Sequence, residues 1–198
     1  MRAYLRPLVP ACLLIAAACA ASPGGSHDTM KATFDAGLRA YDAGDYKTAY
    51  AIWTTIDGVD LAAMRNVALM LRAGKGVAKD PKAAERKMAE AAEAGLVTAQ
   101  ADLGDMLLKG EADQPDPKAA IPWLALAAQA GHPVAAFELA ELYANGDGVA
   151  RNLDTARSLY KIAAAAGLEE AAKRLAALPP EPPGTAAAPP PTTPELRH

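Results

Sequence analysis

The sequence predicts an all-α fold: an α–α solenoid of stacked helix-loop-helix repeats, followed by a disordered Pro-rich C-terminal tail. Two observations carry this. First, nine positions recur three times at a 36-residue spacing without a gap. In the middle copy they are Ala99, Leu103, Gly110, Asp116, Ala120, Leu124, Ala127, Ala128 and Gly131. One period earlier they read Ala63, Val67, Gly74, Asp80, Ala84, Met88, Ala91, Ala92 and Gly95; one period later, Ala135, Leu139, Gly146, Asn152, Ala156, Tyr160, Ala163, Ala164 and Gly167. A period in this range belongs to solenoids and repeat arrays. Second, Ala99, Leu103, Met106 and Leu107 fall at i, i+4, i+7 and i+8, one face of a helix, and Ala120, Leu124, Ala127 and Ala128 repeat the pattern.

Helix ends follow from the residues between these stripes. Gly110 tolerates the positive φ that closes a first helix, and Gly131 does the same for a second. Asp116 before Pro117 is an N-cap followed by proline at the first helical position. The stripe is rich in alanine, so paired backbones can approach closely. One hairpin cannot bury such a stripe alone, and stacked neighbours supply the missing surface.

The third copy carries a family resemblance. It reads Ala135, Leu139, Tyr143, Gly146, Gly148 and Val149, then Asn152, Ala156, Leu159, Tyr160, Ala163 and Ala164 before Gly167. This resembles the Sel-1-like repeat, a solenoid family related to tetratricopeptide repeats, whose pattern is A-x-x-x-L-G-x-x-Y, G-x-G-V, D, then A-x-x-W-Y-x-x-A-A and a closing G. The first copy keeps Gly74, Gly76, Val77 and Asp80. The middle copy departs: Gly110-Glu111-Ala112-Asp113 lacks the second glycine and the valine. The resemblance spans roughly residues 60 to 178 and implies a protein-interaction module whose first helices line a concave face.

Taken in order, residues 1–21 read as a signal peptide. Arg2 and Arg6 precede an apolar stretch from Leu8 to Ala18, shorter than the ~20 residues a membrane-spanning helix needs. Two processing chemistries fit. Ala16-Ala17-Ala18-Cys19 is similar to a lipobox, which would make Cys19 the lipidation site; Ala18-Cys19-Ala20 also fits an ordinary A-x-A cleavage. The expected location is therefore the periplasm or outer membrane, with a lipid anchor if Cys19 is acylated. Cys12 and Cys19 are the chain's two cysteines, so the repeats hold no thiol for a disulfide or a cysteine metal site.

Residues 22–29 are rich in Gly, Ser and Pro and read as a flexible tether. Residues 30–58 read as a divergent, tetratricopeptide-like N-terminal unit: Phe34, Leu38 and Tyr41 precede Gly44, and Asp45 caps a second helix bearing Ala49, Trp53 and Ile56. The repeats follow at 59–95, 96–131 and 132–167. Ala171, Leu175 and Leu178 continue the register in a capping helix at 168–178, and residues 179–198, Pro/Ala-rich, lack the apolar bulk to order.

Candidate partner-binding residues are aromatic. Phe137 aligns with Arg65, Ala101 and Lys173, so exposure on a first helix is expected; Tyr46 and Tyr50 on the N-terminal unit are similar. Trp123 beside Leu124 reads as a groove anchor or as a partly buried repeat residue. Pro122, inside a second helix, removes a backbone bond at ~3 kcal/mol unless the helix kinks; with the irregular loop of the same copy it reads either as reshaping a binding site or as neutral drift. Lys75, Lys79, Lys82, Arg86 and Lys87 crowd the first copy, either as a patch for an anionic polymer or as a solvated surface. Glu141 lies off the apolar stripe, and its truncation should cost little.

Catalysis, metal and cofactor find no support. His27, His132 and His198 pair with no cysteine, and the repeated glycines are turn formers rather than a phosphate loop. Losing Arg2 and Arg6 would move the net charge from −3 to −5, a poor balance for nucleic acid. The reading is a non-catalytic interaction module or scaffold of the bacterial envelope that binds another envelope protein or peptide. The alternative is an envelope enzyme or accessory acting on peptidoglycan or an amide.

Overall fold

A computed structural model describes residues 25–180, and among these every regular element is an α-helix. The signal segment with Cys19, and residues 181–198 of the tail, lie outside the described residues. The helices are α1 (Gly25–Asp42), α2 (Tyr46–Trp53), α3 (Leu61–Ala73), α4 (Pro81–Glu93), α5 (Val97–Lys109), α6 (Pro117–Gln129), α7 (Pro133–Asn145), α8 (Leu153–Ala165) and α9 (Glu169–Ala177). Odd and even helices pair as hairpins, each hairpin packs on the next, and α9, the last helix among the described residues, packs on α8. Contact also runs from α5 to α7, which puts the first helices of successive repeats side by side.

The caps are those the side chains dictate. Asp45, Asp60, Asp80 and Asp116 each accept a hydrogen bond from the backbone N–H three residues on, at 2.8–3.1 Å. Asn152 accepts from Asp154 and Thr155, and His132 Nδ1 accepts from Ala135 N–H at 3.3 Å. Each such cap contributes about 1 kcal/mol. Gly74, Gly110 and Gly146 end α3, α5 and α7 in the left-handed conformation. Pro122 sits inside α6, which keeps thirteen residues, the same length as α4 and α8.

The repeated apolar positions form the core. Val67, Met88, Leu103, Leu124, Leu139, Leu159 and Tyr160 are buried among alanines. Burial of each such side chain stabilises by about 1.5–3 kcal/mol. The core divides into two clusters that meet at α5: Leu103 and Met106 face the N-terminal cluster, and Ala101 the C-terminal one.

Two expectations are corrected in the N-terminal unit. Helix α1 begins at Gly25, inside the segment expected as a tether. Asp28 in its first turn and the Lys31–Asp35 ion pair at 2.7 Å support the helix there. Leu38 is 42% exposed, so it is not the core residue its i+4 spacing suggested. The inward face is Phe34, Gly37 and Tyr41. Gly37 has no side chain, and the Trp53 indole lies on its backbone: a Cβ there would stand 2.7 Å from Trp53 Cδ1. Trp53 is 2% exposed and donates Nε1–H to the Phe34 carbonyl at 3.2 Å.

Candidate functional site

The face made by α3, α5, α7 and α9 is charged. Arg65 on α3 pairs with Asp102 on α5 at 2.5 Å, and Arg72 on α3 pairs with Asp105 on α5 at 2.7 Å. Arg72 also pairs with Glu111 in the loop after α5, and Lys109 reaches Asp105 at 2.7 Å. The hydrogen bonds that Arg72 donates to Glu111, and then to Asp105, raise its pKa. Burial pushes the Asp105 carboxyl up, but its bonds from Lys109 and Arg72 outweigh this and hold it below the usual carboxylate range. The α7–α9 seam closes similarly, with Arg174 3.4 Å from Glu141.

The α5–α7 seam differs. Glu138 on α7 faces Asp102 and Asp105, and its Oε2 is buried without a hydrogen-bond partner. Burial, and then the charge of Asp105, pushes its carboxyl up to about 7. Glu141 is not the idle surface residue expected from its place off the stripe. It accepts the Tyr160 hydroxyl as well as pairing with Arg174. Burial first, and this bond second, raise the Tyr160 pKa.

A cleft of about 610 Å³ opens where this face meets the loops after α3 and α5. Its apolar walls are Tyr41, Leu69, Ala73 and Pro81. Its rim carries Arg72, Lys75 and Lys79 against one acid, Glu111. Lys75 donates to the Tyr41 hydroxyl at 3.0 Å and lies over two rings, 5.3 Å from the centroid of Tyr41 and 5.1 Å from that of Tyr46. That hydrogen bond raises the Lys75 pKa.

The cleft traces to the irregular loop. In the regular loops the second glycine has φ +71° and lies directly on the start of the preceding second helix. A Cβ at Gly76 would stand 2.7 Å from Lys47 N, and one at Gly148 2.8 Å from Lys118 N. The equivalent residue in the middle loop is Ala112, and among the described residues only glycines have positive φ. Alanine cannot lie on the start of α4 in that way, so the loop takes another course. It tightens on itself at Gly110, where a Cβ would meet Gln114 and Pro115, and sends Glu111 to Arg72. Pro81, which such a glycine would have covered, is left as a wall of the cleft.

The aromatic candidates scatter. Phe137 is half-buried rather than exposed: its ring tilts against Tyr160, centroids 5.8 Å apart, because the long tyrosine side chain reaches it where shorter Leu124 and Met88 stand in the other copies. Trp123 is half-buried against the N-terminal core. Tyr50 is half-buried in the same core. Tyr46 packs edge-on to Tyr41 at 5.0 Å, and through Lys75 it is the one candidate beside the cleft. Sequence reasoning missed Tyr41, Arg72 and Glu111 as neighbours. The signal available was Ala112 in place of glycine. Of the basic crowd, Lys75 and Lys79 line the cleft, whereas Lys87 is spent on Asp57 at 2.5 Å. Among the described residues no cluster of side chains could hold a metal ion, and no helix is long and apolar enough to cross a membrane.

Comparison with known proteins follows the same architecture. Among curated proteins none matches the chain. Among solved structures, a Sel1 repeat protein from Oxalobacter formigenes is 33% identical with a TM-score of 0.67, covering 72% of this chain and 58% of that one. The protein c5321, a protective antigen of uropathogenic Escherichia coli displaying an SLR fold, is 26% identical with a TM-score of 0.70, covering 76% of this chain and 33% of that one. The chain thus spans less than two thirds of the length of either relative. Proteins built from these repeats generally serve as protein–protein interaction modules. The family model for the Sel1 repeat matches residues 61–96, 97–132 and 133–168, more than half of the sequence and in phase with the helix pairs α3–α4, α5–α6 and α7–α8, so the chain belongs to the Sel1 repeat family.

Proposed function

We propose that this protein is a non-catalytic scaffold of the bacterial cell envelope that binds a protein partner on its first-helix face. The observation that carries the reading is the cleft of about 610 Å³, with apolar walls and a charged rim, set on a family architecture used for protein interaction. Tyr46 belongs to this surface through Lys75. Phe137 is half-buried on the first helix α7, whereas Tyr50 on α2 and Trp123 on α6 are half-buried on second helices.

Export rests on the sequence. Arg2, Arg6 and the short apolar stretch from Leu8 supply a signal, and Cys19 after three alanines supplies an acylation site. Acylation by more than one chain would anchor the scaffold stably in the membrane.

Affinity capture from solubilised envelope tests both parts when wild type and a Lys75→Glu, Lys79→Glu variant are compared as bait. The expected result is a protein retained by the wild type and lost by the variant. Equal retention by both baits would move the binding surface elsewhere. Intact mass of the mature N-terminus reads the anchor: an acylated Cys19 supports it, and an unmodified start after Ala20 or Ala21 makes the protein a soluble periplasmic binder.

A further inference from the structure

The interaction reading leaves the partner's chemistry open, and the cleft narrows it. Three features bear on it. The rim is cationic, with Arg72, Lys75 and Lys79 against Glu111, although the chain as a whole carries −3. Arg72 is already held by Asp105 and Glu111, so the cations left for a ligand are Lys75 and Lys79. Lys75 is oriented by the Tyr41 hydroxyl and two aromatic rings, with no acidic side chain neutralising it, and Lys79 has no ion-pair partner among the described residues. A cation fixed by neutral groups keeps its charge for a ligand and loses little side-chain entropy on binding one. Below the rim the walls are apolar, which suits a side chain rather than a bare anion.

We propose that the cleft between the loops after α3 and α5 binds an acidic peptide segment, seating an apolar side chain against Tyr41, Leu69 and Pro81 while flanking carboxylates meet Lys75 and Lys79. This rests on the reading of the chain as a protein-binding module and adds the sign and shape of what it binds. The site is particular to this junction. In the neighbouring loops Gly76 and Gly148 lie on the helix starts, so loop backbone fills there the room that Ala112 leaves open over α4.

The test is fluorescence anisotropy of the full chain with fluorescein-labelled Glu-Glu-Leu-Glu-Glu, beside versions carrying glutamine or lysine in place of glutamate. The acidic peptide should saturate the protein at least tenfold more tightly than the glutamine version and weaken as salt rises. Lys75→Gln with Lys79→Gln should lower its affinity tenfold or more. Lys82→Gln with Lys118→Gln removes the same charge from exposed positions and should change it less than twofold. Glu111→Gln should tighten it several-fold. Circular dichroism matching the wild type shows that the variants fold. Equal loss in the two lysine pairs, or no saturation by the acidic peptide, overturns the proposal. Tighter binding of the glutamine or lysine peptide overturns it too but leaves the module a peptide binder. No binding by any peptide, together with an empty envelope capture, removes the interaction reading itself.

Discussion

The loops after α3 and α7 and the loop after α5 have the same length and different outcomes. The first two lay a glycine on the start of the preceding second helix and pack half-buried Val77 and Val149 against the core. The third has alanine and Asp113 at those positions, sends an acid to the neighbouring repeat, and leaves a cleft. A repeat array can therefore keep its register while one unit trades loop packing for surface. The 36-residue period is untouched, because the caps and the apolar stripe set it and the loop does not.

The comparison breaks first at the glycines. Gly148→Val forces a branched side chain into left-handed backbone and onto Lys118, with an expected cost of roughly 2–5 kcal/mol. That is comparable to truncating the buried Leu139 to alanine, also ~2–5 kcal/mol. Ala112→Val, at the same register position, should change stability by less than ~0.5 kcal/mol. Urea unfolding of the two variants decides it, and equal shifts would mean the loops are not built differently.

A smaller effect sharpens the contrast between seams. Glu141→Ala strands the Tyr160 hydroxyl and frees Arg174, at about 1–3 kcal/mol. A shift under ~0.5 kcal/mol would return Glu141 to the surface role its sequence position suggests.

The α5–α7 seam gives a pH signature. The Glu138 carboxyl rises from 4.5 to about 7 on folding, with Asp102, Asp105 and Lys109 of α5 and Arg72 of α3 around it. The folded state therefore binds the proton more tightly. Its contribution to stability is full below about pH 4.5 and is lost as pH rises through about 7. Because the group is partly solvated, the change should be roughly 1–2 kcal/mol. Glu138→Gln should flatten the melting temperature between pH 5 and 8, and an unchanged slope would place the titrating group elsewhere.

Period and caps were legible in the sequence because both are local. Asp116 before Pro117 and Gly110 after the stripe announce their roles within a few residues. Leu38 misled because spacing cannot tell which of two adjacent faces a partner ring will claim, and Gly37, the vacancy for Trp53, was the residue to weigh. Phe137 misled because its neighbour Tyr160 lies on the next helix. The cleft was half visible. Ala112 flagged an odd loop, but the meeting of Glu111 with Arg72 spans 39 residues and depends on how neighbouring repeats stack.

The two ends of the stack also differ, and this bears on how the molecule opens. The N-terminal unit is closed by Trp53, Phe34 and Tyr41 packed ring to ring. At the other end no second helix follows α9 among the described residues, and Leu175 is half-buried where Val67, Leu103 and Leu139 are buried. In an array whose units lean only on neighbours, melting starts at the weaker terminus and travels inward. Amide exchange should then run as a gradient, fastest in α9, slower through α8 and α7, slowest around Trp53. A partner gripping the cleft near α3 would hold the slow-exchanging end, leaving the far end free to fray while bound.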